Sequence, residues 1–128
     1  MSTIISREDR PWGTYEVLSV FKEEGVEGQI DVVIKRIVIN PGKRLSLQSH
    51  YGRDEHWQFV SGRGEAVVGE ETIKIDGPEH VFVPKQTQHR VTNKDLEAPL
   101  IFIEVSLGMF DEKDIIRLED DYGRAAKK

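Results

Sequence analysis

Short runs of β-forming residues, each ended by a turn signal, dominate this chain. Nine runs follow one another about ten residues apart, and no long helical periodicity competes with them. The turn signals include Asn40-Pro41-Gly42, Ser61-Gly62 and Asp76-Gly77-Pro78. This spacing favours a β-sandwich or barrel in one domain. The predicted strands are 14–21, 30–39, 44–51, 55–60, 65–68, 72–75, 81–83, 89–93 and 100–107.

One segment departs from the β pattern. Residues 111–121 have the composition of a short helix, and we predict a brief helical segment there. A length of 128 residues fits a single domain able to bury a real core. We therefore predict one domain over 1–128, with its core at about 10–124.

Charge and composition exclude several classes of function. The formal net charge of −5 argues against a nucleic-acid-binding protein, which would usually be basic. Basic residues still occur in local groups, Lys35-Arg36 and Lys43-Arg44, that an anionic ligand could use. The chain has no cysteine and no long apolar run at its start, so we expect a cytoplasmic protein without a membrane span or signal peptide.

Four polar residues have the spacing of a metal site. Gln48 and His50 share one face of an extended segment because side chains alternate along a strand. Glu55 follows a tight turn at Gly52, and His89 arrives from a remote strand. Two imidazoles, a carboxylate and an amide oxygen can hold a divalent ion with positions left open. We expect these side chains to converge inside the fold, with Gln48 either a ligand or a donor to a ligand. His56 should face the opposite side.

Two motifs and several shorter segments resemble a known family. The pattern G-x5-Q-x-H-x4-E-x6-G, from Gly42 to Gly62, resembles the first cupin motif, and P-x4-H-x3-N, from Pro84 to Asn93, resembles the second. The segments RPWGTYEVL, PGKRLSLQSH, EHW, IEV and DIIRLEDDYGR resemble, in collinear order, the type II mannose-6-phosphate isomerase domain. That domain often follows a mannose-1-phosphate guanylyltransferase domain, which has no counterpart in these 128 residues, so we expect no nucleotide transfer.

The resemblance implies a fold, a reaction and a cofactor. It implies an all-β, single-domain cupin, a double-stranded β-helix or jelly-roll barrel, that acts as a homodimer on a small sugar phosphate. The implied reaction converts mannose 6-phosphate to fructose 6-phosphate, with a divalent ion at Gln48, His50, Glu55 and His89. Zinc is expected first, with manganese, iron or nickel as alternatives. The base stays open between a metal-bound hydroxide and a side chain lining the barrel.

Basic side chains are the natural partners of the phosphate group. Arginine can bind phosphate oxygens through two parallel hydrogen bonds. We predict substrate binding by Arg44, Arg53 and Arg90 and catalytic roles for Lys85 and Arg124.

A second class of function stays open. The family often carries histidines where this chain has Tyr51 and Gly52. Fold and activity are separable, so the alternative is a cupin that binds a sugar or sugar nucleotide without catalysis, or acts on a different sugar. Bound-metal analysis together with an assay on mannose 6-phosphate separates these hypotheses.

Overall fold

The computed structural model describes residues 4–109 and 114–123, and this part of the chain is all β. Each of the nine predicted runs contains or overlaps a strand, and two further strands lie near the ends of the described chain. In chain order the strands are β1 Ser6–Arg10, β2 Gly13–Gly25, β3 Gly28–Ile39, β4 Leu47–Ser49, β5 Arg53–Ser61, β6 Arg63–Val68, β7 Glu71–Asp76, β8 Glu79–Val83, β9 His89–Asn93, β10 Leu100–Gly108 and β11 Ile116–Glu119.

The strands form two antiparallel sheets. The larger sheet has the order β1-β2-β3-β10-β5-β8, and the smaller has the order β11-β4-β9-β6-β7. The chain passes repeatedly from one sheet to the other, for example between β3 and β4, between β5 and β6, and between β7 and β8. Strands that are neighbours in a sheet are therefore often remote in sequence.

One hydrophobic core joins the two sheets. Alternate residues of each strand point inward, as expected for sheets with one buried face. Trp57 and Phe59 of β5 pack with Phe102 of β10, their ring centroids 4.8–6.4 Å apart. The smaller sheet contributes Ala66, Ile75 and Val91 to the same buried cluster.

The predicted all-β architecture is correct. The predicted closed barrel is wrong, because the two described sheets do not join into one. Hydrogen-bonded pairing ends at β1 and β8 in one sheet and at β11 and β7 in the other, so the described strands form two separate sheets. Where the chain crosses from one sheet to the other, the hydrogen bonding between neighbouring strands is interrupted. Gly62, with a φ of 107°, lies at the crossing from β5 to β6.

The predicted helical segment at 111–121 is also wrong. Residues 111–113 lie outside the described part. In the remainder, Ile116–Glu119 form the extended strand β11, and none of residues 114–121 is helical. Helix propensity over so few residues is a weak preference that tertiary pairing overrides. Here β11 pairs with β4, and Ile115 and Arg117 alternate toward the interior cavity. Across the described residues, no helix is long and apolar enough to cross a membrane.

We expect Gly62→Ala to destabilise the fold more than Gly77→Ala. Both glycines have positive φ, so each substitution costs roughly 1–2 kcal/mol of backbone strain. An added Cβ at position 62 would lie 2.6 Å from the Pro99 carbonyl oxygen, whereas one at position 77 would meet nothing within 4 Å. The clash should add about 1–3 kcal/mol, measurable by urea unfolding. Equal losses in the two variants would contradict this packing account.

Candidate metal centre

Three ligand-type residues from different segments meet in the lining of one cavity. His50 follows β4, Glu55 lies on β5, and His89 begins β9. They offer ligand atoms that all lie within 4.8 Å of one another, and the residues are 3 %, 2 % and 4 % exposed. The inward parity of each strand brings these side chains together, as the spacing in the sequence predicts. This part of the structure could hold a metal ion.

Backbone carbonyls determine which nitrogen of each histidine carries the proton. His50 Nδ1 lies 2.6 Å from the Asp114 carbonyl oxygen, and His89 Nδ1 lies 3.0 Å from that of Thr87. A carbonyl oxygen can only accept, so each Nδ1 donates and each Nε2 keeps its lone pair. Burial lowers the pKa of both imidazoles, to about 4 for His50. Both histidines are thus neutral at neutral pH, the state in which imidazole binds metal.

Glu55 is held between two donors. Trp57 Nε1 donates to its Oε1 at 3.0 Å, and Arg53 Nε donates to its Oε2 at 3.1 Å. Glu55 Oε2 also lies 3.3 Å from His50 Nε2, and Oε1 lies 3.9 Å from His89 Nε2. The carboxylate therefore faces both unprotonated nitrogens, which gives a set of acceptors suited to a cation.

Arg53 is the cation that contacts this set in the structure. Its Nη2 lies 3.1 Å from His50 Nε2, and arginine can only donate, so the nitrogen accepts. This contact is consistent with the assignment of the His50 proton to Nδ1. Arg53 was predicted to bind substrate, and its guanidinium lines the cavity within the candidate metal centre.

Gln48 lies beside His89 as its cross-strand partner. Its Nε2 donates to Ser46 Oγ at 3.1 Å, which orients the amide. Gln48 lines the same cavity as the three ligand-type residues. Its role as a fourth ligand stays a prediction.

Glu104 is a buried acid that the sequence analysis did not select. It lies on β10 opposite Trp57 and lines the cavity. Burial, and then the adjacent Glu55, raise the pKa of Glu104 to about 8, so it holds its proton at neutral pH. A signal for it exists in the sequence: Glu104 has the same parity as Leu100 and Phe102 in an apolar strand, so it must face the interior.

The other predicted basic residues lie elsewhere. Arg44 forms two hydrogen bonds of 2.7 Å to Asp121 on the surface, and Arg90 contacts Glu119. Lys85 is exposed, and neither it, Arg44 nor Arg90 is among the described residues that line the cavity. Arg124 lies outside the described residues. The predicted outward orientation of His56 is seen: its Nδ1 lies 3.1 Å from His80 Nε2 on the outer face.

The cavity itself has a volume of about 130 Å³ and mixed walls. Trp57 and Phe102 form an apolar wall, and Trp57 contacts the candidate ligands Glu55 and His89. Three further basic residues line it, Arg10, Lys35 and Arg117. Strand alternation alone could have selected Lys35, since Ile37 and Ile39 share its parity and are core residues.

Comparison with known proteins identifies the family. Residues 3–120 match the family described as Mannose-6-phosphate isomerase C-terminal. The chain belongs to this family. It is 40 % identical over 116 residues to xanthan biosynthesis protein XanB of Xanthomonas campestris. It is 35 % identical over 116 residues to mannose-1-phosphate guanylyltransferase ManC of Salmonella typhimurium. Each alignment covers 90 % of this chain but only 23 % and 22 % of those relatives, so the chain spans less than a quarter of their length.

A solved structure supports the cupin fold of this family member. The cupin-2 domain protein Rru_A2000 of Rhodospirillum rubrum superposes with a TM-score of 0.60 at 21 % identity, covering 88 % of this chain and 76 % of that one. At this identity the likeness concerns the fold. The family member is thus an all-β cupin with a buried His–Glu–His group.

We expect Glu104→Gln to change how the stability of the metal-free protein depends on pH. The folded state raises the pKa of Glu104 from 4.5 to about 8 and so binds its proton more tightly than the unfolded state does. This contribution to stability is complete below pH 4.5 and is lost as the pH rises from 4.5 through 8. The wild type should therefore lose roughly 3–5 kcal/mol relative to Glu104→Gln between pH 4.5 and 8, since one pKa unit is about 1.4 kcal/mol. Urea unfolding across this range measures the difference. A constant difference would show that Glu104 does not hold a proton in the fold.

We expect Arg53→Met to destabilise the metal-free protein by roughly 3 kcal/mol. Removing one partner of a buried ion pair leaves Glu55 uncompensated. Zinc should restore more stability to this variant than to the wild type, because it replaces the missing positive charge. The matched control is Arg44→Met, which breaks a half-exposed surface pair and should cost less than about 1 kcal/mol. Similar losses in both variants, or no extra gain with zinc, would contradict the charge argument.

Proposed function

We propose that this protein is a metal-dependent aldose–ketose isomerase that converts mannose 6-phosphate to fructose 6-phosphate. The observation that supports this most directly is the convergence of His50, Glu55 and His89, whose ligand atoms lie within 4.8 Å of one another, in a cavity of a chain from this family. Sugar-phosphate metabolism is also the setting of the relative ManC, which is named as a mannose-1-phosphate guanylyltransferase. The substrate, the cytoplasmic location and the homodimer are parts of the proposal.

The residues present suit a divalent ion. Two unprotonated imidazole nitrogens and a carboxylate are the donors that zinc and related ions take in proteins, with His50, Glu55 and His89 as the proposed ligands and Gln48 as the fourth. The hydrogen bonds from His50 to Asp114 and from His89 to Thr87 orient the rings, as outer partners of metal ligands commonly do. Bound there, the ion would act as a Lewis acid toward the sugar's carbonyl and hydroxyl oxygens.

The chain's own residues supply position and exclusion of water. The isomerisation moves a proton between C2 and C1 of the sugar, so both carbons must be held near the ligand end of the cavity. Trp57 and Phe102 give that end apolar walls, which strengthens electrostatic interactions inside. Trp57 also holds Glu55 in place through its Nε1. Gln48, oriented by Ser46, offers an amide that can bind a sugar hydroxyl.

The departures at Tyr51 and Gly52 do not remove groups from the cavity. Tyr51 is 60 % exposed, and neither residue is among those of the described chain that line the cavity. Both backbone N–H groups donate to the Asp114 carboxylate, at 3.0 and 2.8 Å. Residues 51 and 52 therefore position Asp114, whose carbonyl orients His50. The departures at these two positions therefore leave the proposed site intact and do not argue against the enzyme.

His50→Ala tests the proposal. The variant should lose tightly bound zinc, measured by elemental analysis after gel filtration, while its fold remains, because the core is aliphatic and aromatic. Isomerisation of mannose 6-phosphate, followed by a coupled assay for fructose 6-phosphate, should fall to the uncatalysed background. The wild type, stripped with chelator, should lose activity and regain it with zinc, manganese, iron or nickel.

His56→Ala is the matched control for this test. His56 lies six residues along the chain and faces outward, so the variant should keep both metal and turnover. Metal retention without turnover in the wild type would favour the binding protein instead. Metal loss in both histidine variants would refute the assignment of ligands.

A further inference from the structure

A group of basic residues lines the cavity apart from the His–Glu–His ligands. Arg10 ends β1, Lys35 lies on β3, and Arg117 lies on β11, so the group draws on both sheets. All three line the cavity with the candidate ligands. They are far apart in sequence and come together through the strand order.

Lys35 is directed into the cavity by its position on β3. It lies opposite Glu104 in the pairing of β3 with β10, and it shares the inward parity of Ile37 and Ile39. The neighbouring Arg36 faces the other way, where its Nη1 donates to Glu16 at 3.0 Å. Of the Lys35-Arg36 group, Lys35 is the member placed to meet a ligand in the cavity.

Tyr15 brings two of the positive charges to one place. Lys35 Nζ lies 4.7 Å from the centroid of the Tyr15 ring, and Arg10 Cζ lies 5.4 Å from it. Cations are attracted to the face of an aromatic ring at this distance. Arg10 also donates to the Tyr15 hydroxyl at 3.4 Å and pairs with Glu8. Since Tyr15 itself lines the cavity, its ring holds an ammonium and a guanidinium beside the space that a ligand would enter.

Arg117 approaches from the smaller sheet. It lies opposite Gln48 in the pairing of β11 with β4, and Gln48 in turn lies opposite His89. This row of cross-strand neighbours runs from a basic residue to a candidate metal ligand. The lining of the cavity thus combines acceptors for a cation with donors for an anion.

We propose that Arg10, Lys35 and Arg117 form the subsite that binds the phosphate group of the sugar phosphate. Guanidinium and ammonium groups are the strongest donors to phosphate oxygens that a protein offers. Phosphate bound there directs the uncharged sugar toward His50, Glu55 and His89. Arg44 and Arg90, which the sequence favoured for this role, pair with Asp121 and Glu119 and are not among the described residues that line the cavity. The inference rests on the proposed function for its substrate.

Isothermal titration of mannose 6-phosphate and of mannose tests the subsite without requiring turnover. We expect the wild type to bind the phosphorylated sugar more tightly, in a manner that weakens with added salt. Lys35→Met and Arg10→Met should each weaken mannose 6-phosphate binding roughly 10- to 100-fold, as expected for a lost charge-assisted hydrogen bond. The affinity of these two variants for mannose should change by less than about two-fold, and so should their affinity for zinc in a parallel titration.

Lys22→Met and Arg7→Met are the matched controls. Both residues are exposed and lie outside the set of described residues that line the cavity, so binding should be unchanged. Lys35→Arg and Arg10→Lys keep the charge and should retain most of the affinity, which keeps the test decisive if a methionine variant fails to fold. Circular dichroism checks each fold.

Each outcome separates the subsite from the isomerase proposal. Equal binding of mannose and mannose 6-phosphate by the wild type, or no loss in the cavity variants, would overturn the subsite even if isomerisation is observed. A phosphate-dependent affinity that requires Lys35 and Arg10, in a protein that does not isomerise, would support the subsite and refute the activity. If the control variants lose as much affinity for mannose 6-phosphate as the cavity variants do, the phosphate is attracted by surface charge in general, and the subsite is overturned.

Discussion

The pairing of β5 with β10 is the constraint on which both the core and the cavity depend. In one register, Phe59 lies opposite Phe102, Trp57 opposite Glu104, and Glu55 opposite Ser106. A slip of one residue would turn every one of these side chains to the other face of the sheet. The aromatic contacts at one end of the pair therefore hold the polar groups at the other end. Stability and function draw on the same ladder of hydrogen bonds.

The buried polar groups are compatible with the core because nearly all of them have partners. Carbonyls of Asp114 and Thr87 accept from the two histidines, and Trp57 and Arg53 donate to Glu55. Burying polar groups without such partners would cost several kcal/mol each. What remains after these bonds is a set of lone pairs directed at one point, which attracts a cation. In the structure, the guanidinium of Arg53 meets that requirement.

The segment 114–123 acts as a wall of the site. Asp114 orients His50 and binds the backbone of Tyr51 and Gly52, and Arg117 lines the cavity. Two arginines contact the end of the segment. Arg44 binds Asp121 at the surface, and the buried Arg90 donates to both the side chain and the carbonyl of Glu119. These two arginines thus help to hold the end of β11 against the rest of the smaller sheet. Neither arginine is among the described residues that line the cavity, and their roles in substrate binding stay predictions.

Local spacing in the sequence determined the all-β class, the turns and the ligand-type group. Gln48, His50 and Glu55 lie in one short stretch, where alternation along strands dictates the shared face, and the cupin motif supplied His89. Tertiary structure decided the rest. Alternation gives Lys35 and Glu104 their inward face, but strand order and register, which have no local signal, bring them together with Arg117 at the site. The strand β11 is extended because β4 offers it a partner. Alternation encodes the face a side chain takes, but only the assembled sheets determine which side chains meet across it.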